Sequence, residues 1–473
     1  MSNLDAVLRH IDGGLETSLF RLFELIRFAS VGTDPAYARD CAAAAHWLRD
    51  ELKAMGFDAA LRPTTGQPAV VARYAPKGLP SHAPHVLFYG HYDVQPPDPL
   101  DLWESPPFEP RIRANADGRK SIFARGASDD KGQLMTFLEA SRAWLSVHGR
   151  LPMRLTVLIE GDEEGDNSHL DRFLADNREE FRADAAFVCD TGMWDDRTPS
   201  IVTRLRGCIA EEITITGANK DLHSGYFGGA ARNPIHVLAG ILADLHDRNG
   251  RVTIPGFYDG VDPVPAATRR QWKQLRFPER RFLKDVGLSI PAGEKGYTVY
   301  EQIWCRPTAE INGIWGGYTG EGRKTVLPST ASAKLTFRLV GRQNPAKIRK
   351  GLRKFVKDRL PKDCRAAFDS SGGDNVAVTV PESSPWVALA SRALRDEWGR
   401  SPVLQADGGS IPVVATFQNV LGLQTLLVGF AREGDAFHSP NEKYDVESYH
   451  RGQRSWARII AELERHKEVS CPS

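Results

Sequence analysis

Apolar and polar residues follow two alternating patterns along the first part of the chain. Short apolar runs typical of buried strands alternate with stretches whose apolar residues recur every three or four positions, as on one face of a helix. One such helix is predicted to begin at Thr33 or Asp34, with Pro35 in its first turn, and to end before Gly56. Strand and helix signals continue to alternate to about Arg206. This order predicts an α/β fold.

The pattern changes at Gly207. The run IAEEITITG alternates like a half-exposed strand, and a helix capped at Asn233 follows it. Next come the strand KLTFRLV, a helix that opens at Asn344, and the strand NVAVTV. Residues 251–296 are rich in proline, glycine and charge, and we predict no regular structure for them. The set predicts a separate α+β domain.

Clusters of acidic residues and histidine stand at or near the ends of apolar strand-like runs. They are HVLFYGHYDVQP (residues 85–96), RGASDDKG (125–132), RLTVLIEGDEEG (154–165) and AAFVCDTG (185–192). A fifth segment, AFHSPNEKYD, supplies His438 far downstream. Open α/β sheets carry their ligand crevices where strands end, so these side chains are expected at one edge of a sheet.

Imidazole and carboxylate groups together are the ligands of hard-to-borderline divalent metals. Several carboxylates cannot lie close together unless positive charge lies between them. The clusters therefore predict a metal-dependent hydrolase with two metals. Because His438 must join this site, the segment before it is an insertion. We assign residues 1–206 and 384–473 to a catalytic domain and residues 207–383 to an inserted lid domain.

Each cluster taken alone has an ordinary interpretation. The alternatives are a turn at His91 and Asp93, a helix cap at Asp129, an acidic first helical turn at Glu163 and Glu164, and a strand exit at Asp190. These interpretations weaken jointly, because the clusters recur beside strand cores that lead to the same sheet edge.

Composition narrows the classes further. A length of 473 residues allows two or more domains, and a net charge of +1 gives no reason to expect nucleic acid or a membrane surface as partner. The six cysteines have neither CxxC nor paired spacing, which argues against a disulfide scaffold and a cysteine-zinc site. The N-terminal residues lack the apolar core of a signal peptide, so we expect a cytoplasmic protein.

The ordered series GHYDVQP, RGASDDKG, EGDEEG, CDTG and AFHSPNEK resembles the di-zinc metallopeptidases that include carnosinases, aminoacylases and succinyl-diaminopimelate desuccinylase. The closest branch is the carnosinase-type nonspecific dipeptidases. The resemblance runs from about Val31 to the C-terminus and includes DLHSG, GIWGGYTGEGRKTVLP and GGSIP. It implies a catalytic domain with a mixed sheet flanked by helices, plus an inserted α+β lid and dimerisation domain.

Metal ligands can now be assigned. Asp129 is the candidate bridge, because a carboxylate has two oxygens with which to hold two metals. The resemblance matches the family's bridging aspartate to the first acid of the pair, leaves Asp130 outside the ligands, and implies a cis peptide bond between the two. His91 and Asp190 would complete one metal site, and Glu164 and His438 the other.

Two acidic residues beside these ligands are expected to be catalytic. Asp93 would accept the imidazole N–H of His91 and fix its tautomer, although it could also be a plain turn aspartate. Glu163 directly precedes a ligand and is free to act as general base toward a metal-activated water. The alternative is that both adjacent glutamates lie on the surface.

Four further residues are expected to contact substrate. By resemblance, His223 reaches the active site of a neighbouring subunit and stabilises the oxyanion, although it could be a plain loop histidine. Arg338, in the middle of an apolar strand, would bind a substrate carboxylate or form an internal salt bridge. The resemblance adds Thr325 and Ser410 as carboxylate contacts. The sequence DGGSIP departs from the expected EGG at Asp407, which could alter the pocket.

These assignments imply metal-dependent hydrolysis of amide bonds in dipeptides or similar small substrates with a free carboxylate. The main alternative is an N-acyl amino acid amidohydrolase. An amidohydrolase of a different fold and a two-metal phosphoesterase are further alternatives. The lid insertion and the lack of a basic phosphate-binding cluster or glycine-rich phosphate loop argue against the phosphoesterase. Glu163 and the full ligand set argue against a non-catalytic binding protein on a hydrolase fold. We expect two divalent ions per subunit, zinc first, with manganese or cobalt as alternatives. The resemblance implies a homodimer.

Overall fold

The computed structural model of the protein describes residues 3–80, 83–115, 118–165, 168–275, 277–370, 374–409 and 411–465. Its helices and strands alternate through much of the chain. The helices are α1 (Asn3–Gly13), α2 (Leu15–Ile26), α3 (Ala38–Ala54), α4 (Lys131–His148), α5 (Ser168–Asp176), α6 (Ser224–Phe227), α7 (Pro234–Ala243), α8 (Ala266–Gln274), α9 (Glu279–Asp285), α10 (Val299–Cys305), α11 (Pro345–Arg359), α12 (Pro385–Trp398), α13 (Pro412–Thr416) and α14 (Val446–Arg465).

The strands form one large mixed sheet and smaller antiparallel sheets. They are β1 (Asp58–Arg62), β2 (Ala69–Tyr74), β3 (His85–His91), β4 (Arg111–Ala114), β5 (Lys120–Phe123), β6 (Arg154–Glu160), β7 (Ala185–Val188), β8 (Ser200–Leu205), β9 (Gly207–Thr216), β10 (Leu222–His223), β11 (Thr308–Gly316), β12 (Val326–Leu327), β13 (Thr330–Leu339), β14 (Arg365–Asp369), β15 (Val378–Thr379), β16 (Val403–Asp407), β17 (Thr425–Leu427) and β18 (Lys443–Asp445).

The chain divides into two compact units. The first comprises Met1–Thr203, Val380–Gln405 and Thr416–Ser473, and the second comprises Arg204–Thr379 and Ala406–Ala415. The chain leaves the first unit after Thr203 and returns to it at Val380. The sequence-based boundaries were after residue 206 and at residue 384. The short segment Ala406–Ala415 differs, because it groups with the second unit rather than with the C-terminal part of the catalytic domain.

The first unit contains a mixed sheet in the order β1-β2-β6-β3-β7-β17-β8. Strand β3 is parallel to β6 and β7, whereas β2 is antiparallel to β6. His91 pairs with Glu160, and Tyr89 pairs with Val188. The carboxyl ends of β3, β6 and β7 therefore lie side by side, as the sequence clusters required. The predicted α/β fold with a mixed sheet is confirmed.

Helices α4 and α14 cover this sheet with an aromatic core. Phe88 of β3 stacks on Phe137 of α4 at a centroid distance of 3.7 Å, and Trp456 of α14 meets Phe137 edge to face at 5.2 Å. All three rings are fully buried. Helix α4 is thus held against the strand that ends in His91, which also fixes the start of α4 beside Asp129.

The second unit contains the antiparallel sheet β11-β13-β9-β14. Residues along β9 alternate between buried and half-buried, as predicted from IAEEITITG. Asn233 and Asn344 cap α7 and α11, and apolar residues of both helices join the core of this sheet. Strand β10 pairs with β12 in a separate two-stranded ladder.

Some local expectations were wrong in extent. Asp34 caps a 3-10 turn, Pro35–Tyr37, and α3 begins only at Ala38. The segment NVAVTV forms a strand only over Val378–Thr379. Helices α8 and α9 lie within residues 251–296, where no regular structure was predicted. Among the described helices, none combines the length and apolarity needed to cross a lipid bilayer.

Candidate metal centre

Five candidate ligands from four loops and one strand end meet in the first unit. His91 ends β3, Asp190 follows β7, and Asp129 precedes α4. Glu164 follows β6, and His438 lies in the loop between β17 and β18. Their metal-binding atoms form two groups, each with all atoms within 4.8 Å of one another. Asp129 belongs to both groups.

The first group consists of His91, Asp129 and Asp190. Nε2 of His91 lies 3.2 Å from Oδ1 of Asp129 and 4.0 Å from Oδ2 of Asp190. This Nε2 atom is buried, yet it makes no hydrogen bond of acceptable geometry among the described residues. A buried imidazole nitrogen that faces two carboxylates suits a cation better than a hydrogen bond.

The second group consists of Asp129, Glu164 and His438. Nε2 of His438 lies 3.1 Å from Oδ2 of Asp129 and 3.3 Å from Oε2 of Glu164. Asp129 therefore directs one carboxylate oxygen toward each group. His438 has φ 55°, in the left-handed region that residues other than glycine rarely adopt. Such conformations cluster at functional sites, where the surrounding structure holds them.

Asp93 organises both His91 and the loop after β6. Nδ1 of His91 lies 3.3 Å from Oδ1 of Asp93 and 3.1 Å from the backbone oxygen of Asp93. The Asp93 carboxylate also accepts the backbone N–H of Glu163 at 3.2 Å and that of Glu164 at 3.0 Å. The same buried acid thus contacts the imidazole and positions the acidic pair.

Burial and close charge pairs set the ionisation of the groups. Burial opposes ionisation of Asp129, but the hydrogen bond from His438 and the close contact with the imidazole of His91 outweigh it and lower the pKa of Asp129. Hydrogen bonds to Asp129 and Glu164 raise the pKa of His438 to about 10. Burial opposes protonation of His91, but its contacts with Asp129 and Asp93 raise its pKa well above the usual range. Without a cation, protonated imidazoles therefore balance the carboxylates.

Two acidic residues lie beside the groups without belonging to them. Asp130 is buried and accepts the backbone N–H of His91 at 3.2 Å, and the Asp129–Asp130 peptide bond is cis, as the resemblance implied. Glu163 is half-buried, and burial raises the pKa of its carboxyl well above the usual range, with the charges of Asp190 and Glu164 adding to the rise. A carboxyl with a raised pKa is suited to accept and return a proton near neutrality.

The expected substrate residues belong to the second unit. His223 pairs with Val326 across the β10–β12 ladder, and the backbone oxygen of Thr325 accepts the N–H of Ser224 at 3.0 Å. His223 and Thr325 thus lie near each other. Nδ1 of His223 accepts the N–H of Gly225 at 3.0 Å, so the ring proton of the neutral form is on Nε2.

Of the remaining two predicted contacts, Arg338 and Ser410, the structure describes only Arg338. Arg338 is half-buried on β13, opposite Thr308 and Cys208. Ser410 lies outside the described residues. Gln95, which the sequence patterns did not single out, also contacts the site. Its Nε2 donates to Oε2 of Glu164 at 2.8 Å. The available signal was its place two residues beyond Asp93, on the same side of an extended segment.

Two carboxylate–imidazole groups that share one aspartate at the edge of an α/β sheet define the class of metal-dependent hydrolases. The chain belongs to peptidase family M20/M25/M40, whose sequence model matches residues 87–462. The expected resemblance and the assignment as a metallopeptidase are confirmed.

Relatives with similar sequences and a solved structure match most of the length of this chain. The Cys-Gly metallodipeptidase of Candida albicans is 31% identical over 453 residues, which cover 91% of this chain and 91% of the relative. The human Beta-Ala-His dipeptidase is 28% identical, with 80% of this chain and 74% of the relative covered. The solved structure of the di-peptidase Dug1p from Saccharomyces cerevisiae superposes with a TM-score of 0.82 at 26% identity, covering 99% of this chain and all (100%) of that one.

Proposed function

We propose that this chain is a dipeptidase that uses two divalent metal ions. The observation that carries the proposal is the shared carboxylate of Asp129, with one oxygen near His91 and the other near His438. His91, Asp129 and Asp190 would hold one ion, and Asp129, Glu164 and His438 the other. The donor set of two imidazoles and three carboxylates suits zinc, with manganese and cobalt as alternatives.

Bound ions would polarise the amide carbonyl and acidify a water molecule in the site. Residues of the chain transfer the proton and orient the ligands. Glu163, which is in neither ligand group, takes the proton from the attacking water and delivers it to the leaving amine. Asp93 holds the Nδ1 proton of His91, so that the lone pair on Nε2 faces the carboxylates.

Substrate selection is proposed to rest on residues of the second unit. Arg338, Thr325 and Ser410 would bind the free carboxylate of a dipeptide, with the planar guanidinium of Arg338 giving the charge-assisted contact. His223, whose Nε2–H is free to donate when Nδ1 accepts from Gly225, would stabilise the oxyanion. The Cys-Gly metallodipeptidase and the Beta-Ala-His dipeptidase among the relatives support dipeptides as the substrate class.

We also propose that the enzyme is a homodimer in which His223 serves the site of the partner subunit, and that it works in the cytoplasm. Support for the dimer comes from the exposed position of His223 and its neighbour Tyr226, whose ring lies 4.7 Å from the imidazole. If His223 acted on the metal centre of its own chain, catalysis would need no second subunit. Mixing of inactive subunits therefore distinguishes action within one chain from action on the partner.

The substrate class can be tested with demetallated protein reconstituted separately with zinc, manganese and cobalt. Free dipeptides, C-terminally amidated dipeptides, N-acetyl amino acids and a phosphodiester form the panel. Hydrolysis of free dipeptides in preference to the amidated forms supports the proposal. Preference for N-acetyl amino acids would identify an acylase instead, and equal cleavage of amidated and free dipeptides would remove the carboxylate-binding role of Arg338.

A further inference from the structure

Glu442 is a fully buried carboxylate that accepts four hydrogen bonds from one short segment of the chain. Its Oε1 accepts the backbone N–H groups of Ser128 at 2.9 Å and Asp129 at 3.1 Å. Its Oε2 accepts the backbone N–H of Gly126 at 2.9 Å and Nη1 of Arg125 at 2.8 Å. All four donors belong to the loop that carries the shared aspartate.

Glu442 also belongs to the loop that carries His438, four positions earlier in the chain. Its backbone oxygen accepts the N–H of Ala124 at 3.1 Å, and the next residue, Lys443, pairs with Phe123 in the β18–β5 ladder. The main chain and the side chain of Glu442 therefore hold the same two loops together. One of these loops supplies Asp129 to the second ligand group, and the other supplies His438.

Arg125 extends the connection to a third loop. Its guanidinium is almost fully buried, and Nη2 donates to the backbone oxygen of Pro96 at 3.2 Å. Pro96 closes the segment that begins at His91. The Arg125 guanidinium lies over the ring of Trp103 at 5.5 Å, and its ion pair with Glu442 at 2.8 Å offsets the cost of burying both side chains.

A carboxylate matches the donors around position 442. Four donors converge on two oxygens, and a glutamine would present an NH₂ group where an acceptor is needed. A buried N–H group left without an acceptor is costly, so the loop would shift to recover its hydrogen bonds. Asp129 directs one carboxylate oxygen toward each ligand group. A shift of its backbone would therefore change the geometry of both groups.

We propose that Glu442 is a positioning residue that sets the separation of Asp129 and His438 and thereby the affinity of the site for divalent metal. This inference rests on the proposed two-metal function. Glu442 is in neither ligand group and would not touch substrate. Its effect is transmitted through the N–H groups of the Gly126 to Asp129 loop, as outer groups around metal ligands commonly act.

The test compares zinc binding to the demetallated full-length protein and its variants, measured by calorimetry and by metal content after dialysis. Glu442→Gln keeps the shape and removes the charge, whereas Glu442→Asp keeps the charge and shortens the reach. Glu211→Gln is the matched control, because Glu211 is also buried and also accepts from arginines, Arg349 at 2.7 Å and Arg353 at 2.6 Å, but lies in the second unit.

The wild type should bind two zinc ions per chain. Glu442→Gln should bind at least one of them about 10- to 100-fold more weakly, Glu442→Asp should recover part of the loss, and Glu211→Gln should bind like wild type. If Glu442→Gln does not fold, the folded Glu442→Asp protein decides: weaker binding supports the inference and unchanged binding overturns it.

Wild-type affinity in folded Glu442→Gln would overturn the inference while leaving the two-metal function intact. An equal loss in Glu211→Gln would also overturn it, because general destabilisation would then explain the effect. Failure of the wild type to bind zinc, manganese or cobalt would overturn the proposed function, and the inference with it.

Discussion

The carboxylate of Asp93 lies 3.3 Å from Nδ1 of His91, and both side chains are fully buried. This contact and the two backbone N–H groups that Asp93 accepts from Glu163 and Glu164 link the first ligand group to the acidic loop. The imidazole cannot rotate without breaking the contact. The arrangement therefore keeps Nε2 directed at Asp129 and Asp190.

Replacing Asp93 with asparagine should weaken metal binding about 10- to 100-fold, the usual loss when a group behind a metal-bound histidine is changed. The Asp93 carboxylate uses both of its oxygens to accept from the imidazole and from the two backbone N–H groups. An asparagine amide has only one acceptor oxygen, so it cannot replace all three contacts. Competition titration of demetallated protein against a zinc-binding dye measures the affinity.

Asp195→Asn provides the control for Asp93→Asn. Asp195 also accepts two backbone N–H groups, from Arg197 and Thr198 at 2.8 Å each, but lies in an exposed turn. Its replacement should leave zinc affinity unchanged. Equal affinity in Asp93→Asn and wild type would show that Asp93 is a turn aspartate.

Glu163→Gln should separate chemistry from metal binding. Because Glu163 is in neither ligand group, metal content should equal that of wild type, while kcat falls by roughly 10²- to 10⁴-fold through loss of the proton acceptor. Steady-state kinetics with parallel metal analysis checks both quantities. Near-normal kcat with full metal content would assign the base to another residue.

Metal uptake should release protons at pH 7. In the metal-free site the pKa of His438 is raised to about 10 and that of His91 is raised well above the usual range, so both imidazoles carry protons at this pH. A metal ligand must be neutral imidazole, so each histidine should give up about one proton and apparent affinity should rise with pH.

Calorimetric titration with zinc at one pH, in buffers of different ionisation enthalpy, measures this proton release. A reaction enthalpy that does not depend on the buffer would mean that the histidines are already neutral or do not bind metal.

The sequence predicted the candidate ligands of the site better than the residues that surround and position those ligands. His91 and Asp190 meet at one sheet edge because each lies at the end of an apolar run, and parallel strands bring such ends together. Glu442 and Gln95 were missed because their partners lie far away in the chain, and only the folded loops create those contacts. The extent of β15 was overestimated, since an alternating pattern does not reveal whether a strand has a partner to pair with.

Subunit mixing tests the role of His223. His223→Ala and Glu163→Gln proteins should each be nearly inactive, but exchange should produce mixed dimers in which one site has an intact Glu163 from one chain and an intact His223 from its partner. An equal, fully exchanged mixture should approach about a quarter of wild-type activity, because half of the dimers have one complete site. Absence of recovery despite proven exchange would confine His223 to its own chain or exclude it from the reaction.

The most direct test of the account is a crystal structure of the zinc-loaded protein with anomalous scattering data. We predict two zinc peaks about 3.5–4 Å apart, one on each side of the Asp129 carboxylate. The first should be bound by His91 and Asp190, and the second by Glu164 and His438. A single peak, or two peaks that do not share Asp129, would contradict the proposed two-metal centre.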